Sequence, residues 1–353
     1  LYVDEGSGES LVELTIYGDE LTDAADATAV SDDNLKGRPY QVFDTAGRVT
    51  LAYDFKGQVL EQTRTLIDDI TTDADWSGLE TNATISDIDT WVSSNGGLAS
   101  EDFTVETAYD ALGRVTEQTA PDGSITIPGY DEGSRLESVQ VKIRGASTAT
   151  SFVSAITYNA RGQRLSITYG NNTSSTYTYD DERLWLDSVQ TTRSSSSIHG
   201  SATLQDLSFT RDAVGNITQI ADAAQETLFF SNTQVTPTRD FTYDSLYRLT
   251  EATGREKVSQ TQTTAFYSGY AGAMGNVADP TSTTLRRYTQ LYTYDAVGNM
   301  TEMKHKNGSG TVLWRRVCAY ESDNNQLTGH NGPSEDPDDD TTWTPSFSYN
   351  ERG

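Results

Sequence analysis

A single cysteine, Cys318, among 353 residues rules out an intrachain disulfide framework and leaves the redox compartment open. Basic residues are also scarce: 25 Lys and Arg stand against 52 Asp and Glu, a formal net charge of −27. Nucleic-acid binding needs a basic footprint and adhesion to anionic lipid needs polybasic clusters, so neither is expected. Such acidity keeps a large surface soluble; a negative surface facing a cargo or partner is the alternative. No apolar run approaches the ~20 residues of a membrane span, so no membrane insertion by this segment is expected. No secretory leader is visible at Leu1.

Chemistry-bearing motifs are equally sparse. The three histidines, His199, His305 and His330, lie scattered in polar stretches without zinc-ligand spacing, and read as lone surface residues. There is no nucleophile elbow and no phosphate loop. Adjacent acids such as Asp68–Asp69 and Asp180–Asp181 could do acid–base work. In so acidic a chain, however, such pairs arise by chance. The run Ser334–Asp340 could hold Ca²⁺ but lacks the alternate-residue spacing of known loops, so a solvated loop is expected. Asn-x-Ser/Thr triplets, Asn82 and Asn216 among them, need no meaning beyond abundant Ser and Thr. No metal, cofactor or enzymatic activity is expected.

Hydrophobic residues reach only 35%, yet 10% of the chain is aromatic, including 19 Tyr and 5 Trp. Disordered acidic chains lack aromatics. A thin sheet wetted on part of both faces would combine few aliphatics with many Tyr and Thr, both good strand formers. The aromatics also mark a repeat: aromatic, Asp or Asn, two variable residues, Gly, a long polar residue, an aliphatic, often Thr. Clear copies start at Phe43, Tyr53, Tyr109, Arg211 and Tyr294. Variants start at Tyr130, Tyr158, Tyr179, Tyr243 and Tyr320, and a cut-off copy starts at Tyr349.

Asp at the first turn position can accept from the backbone two residues on, and Gly three residues later accepts a left-handed conformation. That suits a type I turn with a bulge glycine, a common hairpin connection. A second turn signal follows about 12 residues later, as in "PDGS" at Pro121–Ser124. The unit is then roughly 20 residues, and Tyr109 to Tyr130 and Tyr158 to Tyr179 both span 21. We therefore expect antiparallel hairpins laid side by side, each stabilised by its neighbours. The expected turn formers are Phe43, Asp44 and Gly47; Tyr53, Asp54 and Gly57; Tyr109, Asp110 and Gly113; Tyr158 and Gly162; Asp212 and Gly215; Tyr243 and Asp244; and Tyr294, Asp295 and Gly298. The tyrosines are expected to stack on one another as a ladder. Residues 66–94 break the repeat, and their Trp76 and Trp91 are expected to anchor a connection, with a short helix, against the sheet, an exposed grip on a sugar or partner being the alternative.

The phrase "YDxxGR(L/V)T" resembles the YD or Rhs repeat of bacterial Rhs toxins, of the B and C components of insecticidal Tc toxins and, more distantly, of teneurins. Tyr40–Arg64 and Arg248–Lys257 resemble the Rhs core as well. The resemblance implies an all-β fold in which a hairpin strip spirals into a hollow shell, with few short helices in insertions. The family's autoproteolytic signature is absent; Glu335–Asp340 shares only two letters with it. By resemblance, residues 1–353 form one shell segment of a longer chain, residues 1–100 carrying two repeats and the Trp insertion and residues 101–353 the main array. Its implied role is structural: enclosing a C-terminal toxic effector, with the remainder of its own chain and other toxin-complex subunits as partners. The implied location is outside the cell, reached through a bacterial secretion or toxin-complex system. A teneurin-like module binding carbohydrate or protein at a cell surface is the alternative, and a polysaccharide lyase on a β scaffold a third.

Overall fold

The computed structural model describes residues 2–4, 9–21, 23–69, 71, 74–81, 84–95, 97–194, 202–258, 284–330 and 347–349. His199, Asn82, Trp343, the insertion at 268–280 and the acidic run at 334–340 lie outside these residues. The chain divides into two compact units, residues 1–163 with 167–171, and residues 164–166 with 172–353.

The first unit contains β1 (Tyr2–Asp4), β2 (Glu9–Leu11), β3 (Leu14–Tyr17), α1 (Ala27–Asp32), β4 (Pro39–Asp44), β5 (Gly47–Tyr53) and β6 (Val59–Ile67). It continues with α2 (Ile85–Asn95), β7 (Leu98–Tyr109), β8 (Val115–Thr119), β9 (Ile125–Tyr130), β10 (Leu136–Lys142) and β11 (Thr150–Tyr158). Strand β12 (Arg164–Tyr169) is divided between the units. The second unit holds β13 (Ser174–Tyr179), β14 (Leu186–Thr192), β15 (Thr203–Arg211), β16 (Ile217–Asp222), β17 (Leu228–Phe230), β18 (Thr233–Val235) and β19 (Thr238–Tyr243). It ends with β20 (Leu249–Lys257), β21 (Leu285–Tyr294), β22 (Met300–Asn307), β23 (Val312–Tyr320) and β24 (Leu327–His330).

Within each unit, antiparallel ladders join strands in chain order. In the first, β3 to β11 pair one after another. In the second, β13 to β24 do the same, except that β17 and β18 form a separate hairpin and β16 pairs with β19. In neither unit does the strip close on itself, which corrects the hollow shell that the resemblance implied. The reason lies in the connectivity. Consecutive hairpins supply each inner strand with both partners from its own stretch of chain, and among the described residues no ladder within a unit ties its first strand to its last. An all-β, antiparallel repeat strip is what remains of that expectation.

Among the described residues the thick core lies at the start of the strip. Leu11, Ile16, Leu21, Val30, Leu35, Phe43, Trp76, Leu79, Ile88 and Val92 are buried together where α1, α2 and the 66–94 connection cover β3–β6. Helix α2 presents Ile85, Ile88 and Val92 at helical spacing, and its start is capped by the Thr84 hydroxyl accepting from Asp87 N–H at 3.0 Å. By contrast, no residue from 97 to 155 is buried. That stretch is bare sheet with water on both faces, which is why the chain needs so few aliphatic residues.

Candidate functional site

The repeated Tyr–Asp turn is the feature with the most geometry, and Tyr109–Val115 shows its parts. Tyr109 pairs with Val115 across a register shift, the extra-residue bulge that lets a five-residue tip close. Asp110 Oδ1 accepts from the Leu112 and Arg114 N–H groups at 2.9 and 3.0 Å, and Gly113 sits at φ +82°. Asp110 Oδ2 then takes Arg114 Nε at 2.7 Å, so one carboxylate both shapes the turn and aims the guanidinium.

Arg114 is aimed at the next repeat, its guanidinium carbon 4.9 Å from the centre of the Tyr130 ring. Arg135 and Arg248, held by Asp131 and Asp244 in the same way, each lie 4.8 Å over the next tyrosine, Tyr158 and Tyr294. Those tyrosines answer by donating their hydroxyls to the carbonyl just past the arginine: Tyr158 to Leu136 at 2.6 Å and Tyr294 to Leu249 at 2.9 Å. Tyr109, Tyr179, Tyr243, Tyr320 and Tyr349 donate to the corresponding carbonyls of Val59, Arg164, Ile217, Met300 and Leu327. Each repeat is thus clasped to the one before. The expected tyrosine ladder is corrected accordingly: no repeat tyrosine stacks on another among the described residues, and at three junctions an arginine fills the space between them. A cation–π contact and a hydrogen bond together are worth about 1–2 kcal/mol per junction.

The copies vary in informative ways. Where Asn replaces Arg, at Asn216 and Asn299, its amide still reaches the aspartate at 2.8 Å but does not stack on the next ring. Asn159 plays the aspartate's part for the Tyr158 turn, with Gly162 at φ +81°. Asp54 shapes the Tyr53 turn, with Gly57 at φ +93°. Gly215 and Gly298 hold φ +105° and +115° after Asp212 and Asp295, while Tyr247 takes the left-handed place, at φ +64°, after Asp244. Phe43 and Asp44 differ in kind. Asp44 pairs with Gly47 across a two-residue loop, Phe43 is fully buried, and the Asp44 carboxylate is held by Arg64 from β6.

Two clasps escaped the sequence pattern. Arg38 stacks 5.5 Å from the Tyr53 ring, and Tyr53 donates to Pro39 O, so Asn34–Pro39 acts as a repeat tip that lacks the aromatic. In the second unit the roles are exchanged: Trp185 occupies the arginine's place and Arg211 the tyrosine's. Arg211 stacks 5.9 Å from Trp185 and donates to Leu186 O, the carbonyl a tyrosine would use. Trp185→Arg alone should set two like charges together and cost about 1–2 kcal/mol. Adding Arg211→Tyr should recover most of that loss in a denaturant-melt double-mutant cycle. Simple additivity would mean that the exchange is coincidental.

The turn carboxylates sit below the usual aspartate range. At Asp110, Asp131 and Asp244 the largest cause is the backbone N–H of the arginine four residues on. At Asp212 it is the Asn216 side chain. At Asp295 lost hydration pulls upward and is outweighed by Asn299 and nearby backbone N–H groups. Folded values below unfolded ones mean stabilisation that is full above the ordinary Asp pKa, ~3.9, and disappears as pH falls through the folded values. Thermal melts should therefore fall steeply only below about pH 4, and Asp110→Asn should flatten that fall.

A second polar cluster lies in the second unit. Glu256 spans Arg286 Nε at 2.8 Å and His305 Nε2 at 2.9 Å, and His305 is stacked between Tyr288 and Trp314 at 5.2 and 5.1 Å. His305 and His330, read from sequence as surface residues, are buried at 6% and 3% exposure. Asp180 of the Asp180–Asp181 pair is spent on turn N–H groups. Among the described residues no group of three His, Cys, Asp or Glu could hold a metal.

Known proteins match this geometry. The RHS Repeat family matches residues 109–147. Toxin subunit YenC2 of Yersinia entomophaga is 32% identical over 283 residues, 77% of this chain and 27% of the subunit. Toxin subunit YenC1 of the same organism is 31% identical over 212 residues, 60% of this chain and 21% of the subunit. The TcdB2-TccC3 crystal structure superposes with TM-score 0.71 at 30% identity, over 92% of this chain and 14% of that one. This is an Rhs-repeat chain related to toxin-complex subunits. The Tc holotoxin pore of Photorhabdus luminescens gives TM-score 0.70 at 29% identity, over 99% of this Rhs-repeat chain and 15% of that one. The chain spans only about a quarter of the curated toxin subunits it matches.

Proposed function

We propose that this Rhs-repeat chain is a non-catalytic structural strip within a secreted toxin-complex-like protein, and that it shields an effector polypeptide belonging to the same assembly. The observation that carries the reading is the clasp between successive repeats. Polar groups that could do chemistry are spent on holding neighbours: the turn aspartates on backbone N–H groups, the arginines on rings, the tyrosine hydroxyls on carbonyls. Such nearest-neighbour locking makes a stiff sheet from little apolar material. The remainder of a longer chain and other toxin-complex subunits are its partners in this reading, supported by the relatives' names and the superposed complexes.

Limited proteolysis of the full-length protein tests it. The effector should resist cleavage in the intact protein and become susceptible when Arg135→Ala and Arg248→Ala loosen two clasps. Equal cleavage of both proteins would refute shielding. Turnover of polysaccharide by the purified protein, abolished by substitutions in this strip, would refute the non-catalytic reading.

A further inference from the structure

In the second unit a cavity of about 320 Å³ lies among β15, β16, β19, β20 and β21, and its walls carry Arg239, Arg255, Lys257, Asp222, Glu256 and Gln205. The two acids are already committed. Glu256 gives one carboxylate oxygen to Arg286 and the other to His305, at 2.8 and 2.9 Å. Asp222 Oδ1 accepts the N–H groups of Asp206 and Ala224 at 3.0 and 3.1 Å. Two of the cavity's cations, Arg239 and Arg255, have no carboxylate partner among the described residues. Arg255 donates to neutral acceptors, the Glu226 carbonyl at 3.0 Å and the Gln225 amide oxygen at 3.2 Å, so its charge stays uncompensated. The Arg239 side chain makes no hydrogen bond or ion pair among the described residues. Arg286, behind Glu256, is 9% exposed and leaves Nη2 without a partner. Arg239 and Arg255 thus bring guanidinium charge to the cavity wall without an acid to pair it, and the buried N–H that Arg286 leaves unmatched nearby is costly.

We propose that this cavity binds a small oxyanion, a phosphate or an aliphatic carboxylate, with Arg239 as the principal contact. A guanidinium presents paired N–H groups that match two oxygens of either anion. Arg255 and Lys257 add field from the same walls, and a site of this size encloses a small ligand.

Titration calorimetry at low salt, with inorganic phosphate and with succinate as probes, tests this on the intact chain. Saturable binding of phosphate alone, of succinate alone or of both supports the proposal and identifies the anion class. The binding should weaken at least about tenfold in Arg239→Gln, the loss of one charge-assisted hydrogen-bonding pair. Arg161→Gln removes the same charge from an exposed turn in the other unit and should leave affinity unchanged. Arg239 is exposed, so its variant should fold, and circular dichroism checks that. No saturable heat with either probe overturns the proposal, as do equal losses in the two variants.

Discussion

Trp76→Ala is expected to cost the first unit about 3–5 kcal/mol in a denaturant melt. Trp76 is 1% exposed, and its ring centre lies 5.0 Å from Phe43 and 6.4 Å from Trp91. Its indole Nε1 also donates to the Asp44 carbonyl at 3.1 Å, tying the 66–94 connection to the β4–β5 hairpin. Alanine would leave a cavity and an unmatched carbonyl together. Trp76→Phe, which keeps much of the volume, should lose only about 1–2 kcal/mol, chiefly for that carbonyl. The size of the first effect follows from where the core is. From residue 97 to 155 no residue is buried, so β3–β6 and their cover supply most of the apolar burial in this unit. A loss below about 1 kcal/mol for Trp76→Ala would mean that the connection is peripheral to folding.

What the sequence discloses is local. Aspartate reaching two and four residues ahead, a left-handed residue before the arginine and a bulge beside the tyrosine all lie within one turn, so the repeat phrase specifies them. Partners far along the chain are not written in the phrase. His305 looked exposed because its carboxylate, Glu256, is 49 residues away. The tyrosine ladder was a reasonable reading of periodic rings, but the arginine between them is visible only once hairpins lie side by side. The Trp185–Arg211 exchange shows why a strict motif misses copies. The junction requires one cation, one ring and one donor to the carbonyl, and either position can supply them. The closed shell was the longest-range expectation, and connectivity within the units does not produce it.

Gly47 separates a true two-residue hairpin from the repeat turns that share its letters, and Gly47→Ala should show the difference. Its φ is +132°, and a Cβ there would lie 2.2 Å from the Thr65 carbonyl oxygen, a backbone atom of the paired strand β6. Relief would require β5 and β6 to part at the Gly47–Leu66 pair, next to buried Phe43. Left-handed strain of ~1–2 kcal/mol and a comparable packing penalty should together destabilise the unit by about 3 kcal/mol. Gly298 has φ +115° but only the Arg248 guanidinium at 4.0 Å, so Gly298→Ala should meet the conformational penalty without the clash and cost roughly half as much. Matched thermal melts of the two variants decide the point. Equal losses would place the whole cost in backbone conformation and would make the close approach of β6 at Gly47 irrelevant to stability.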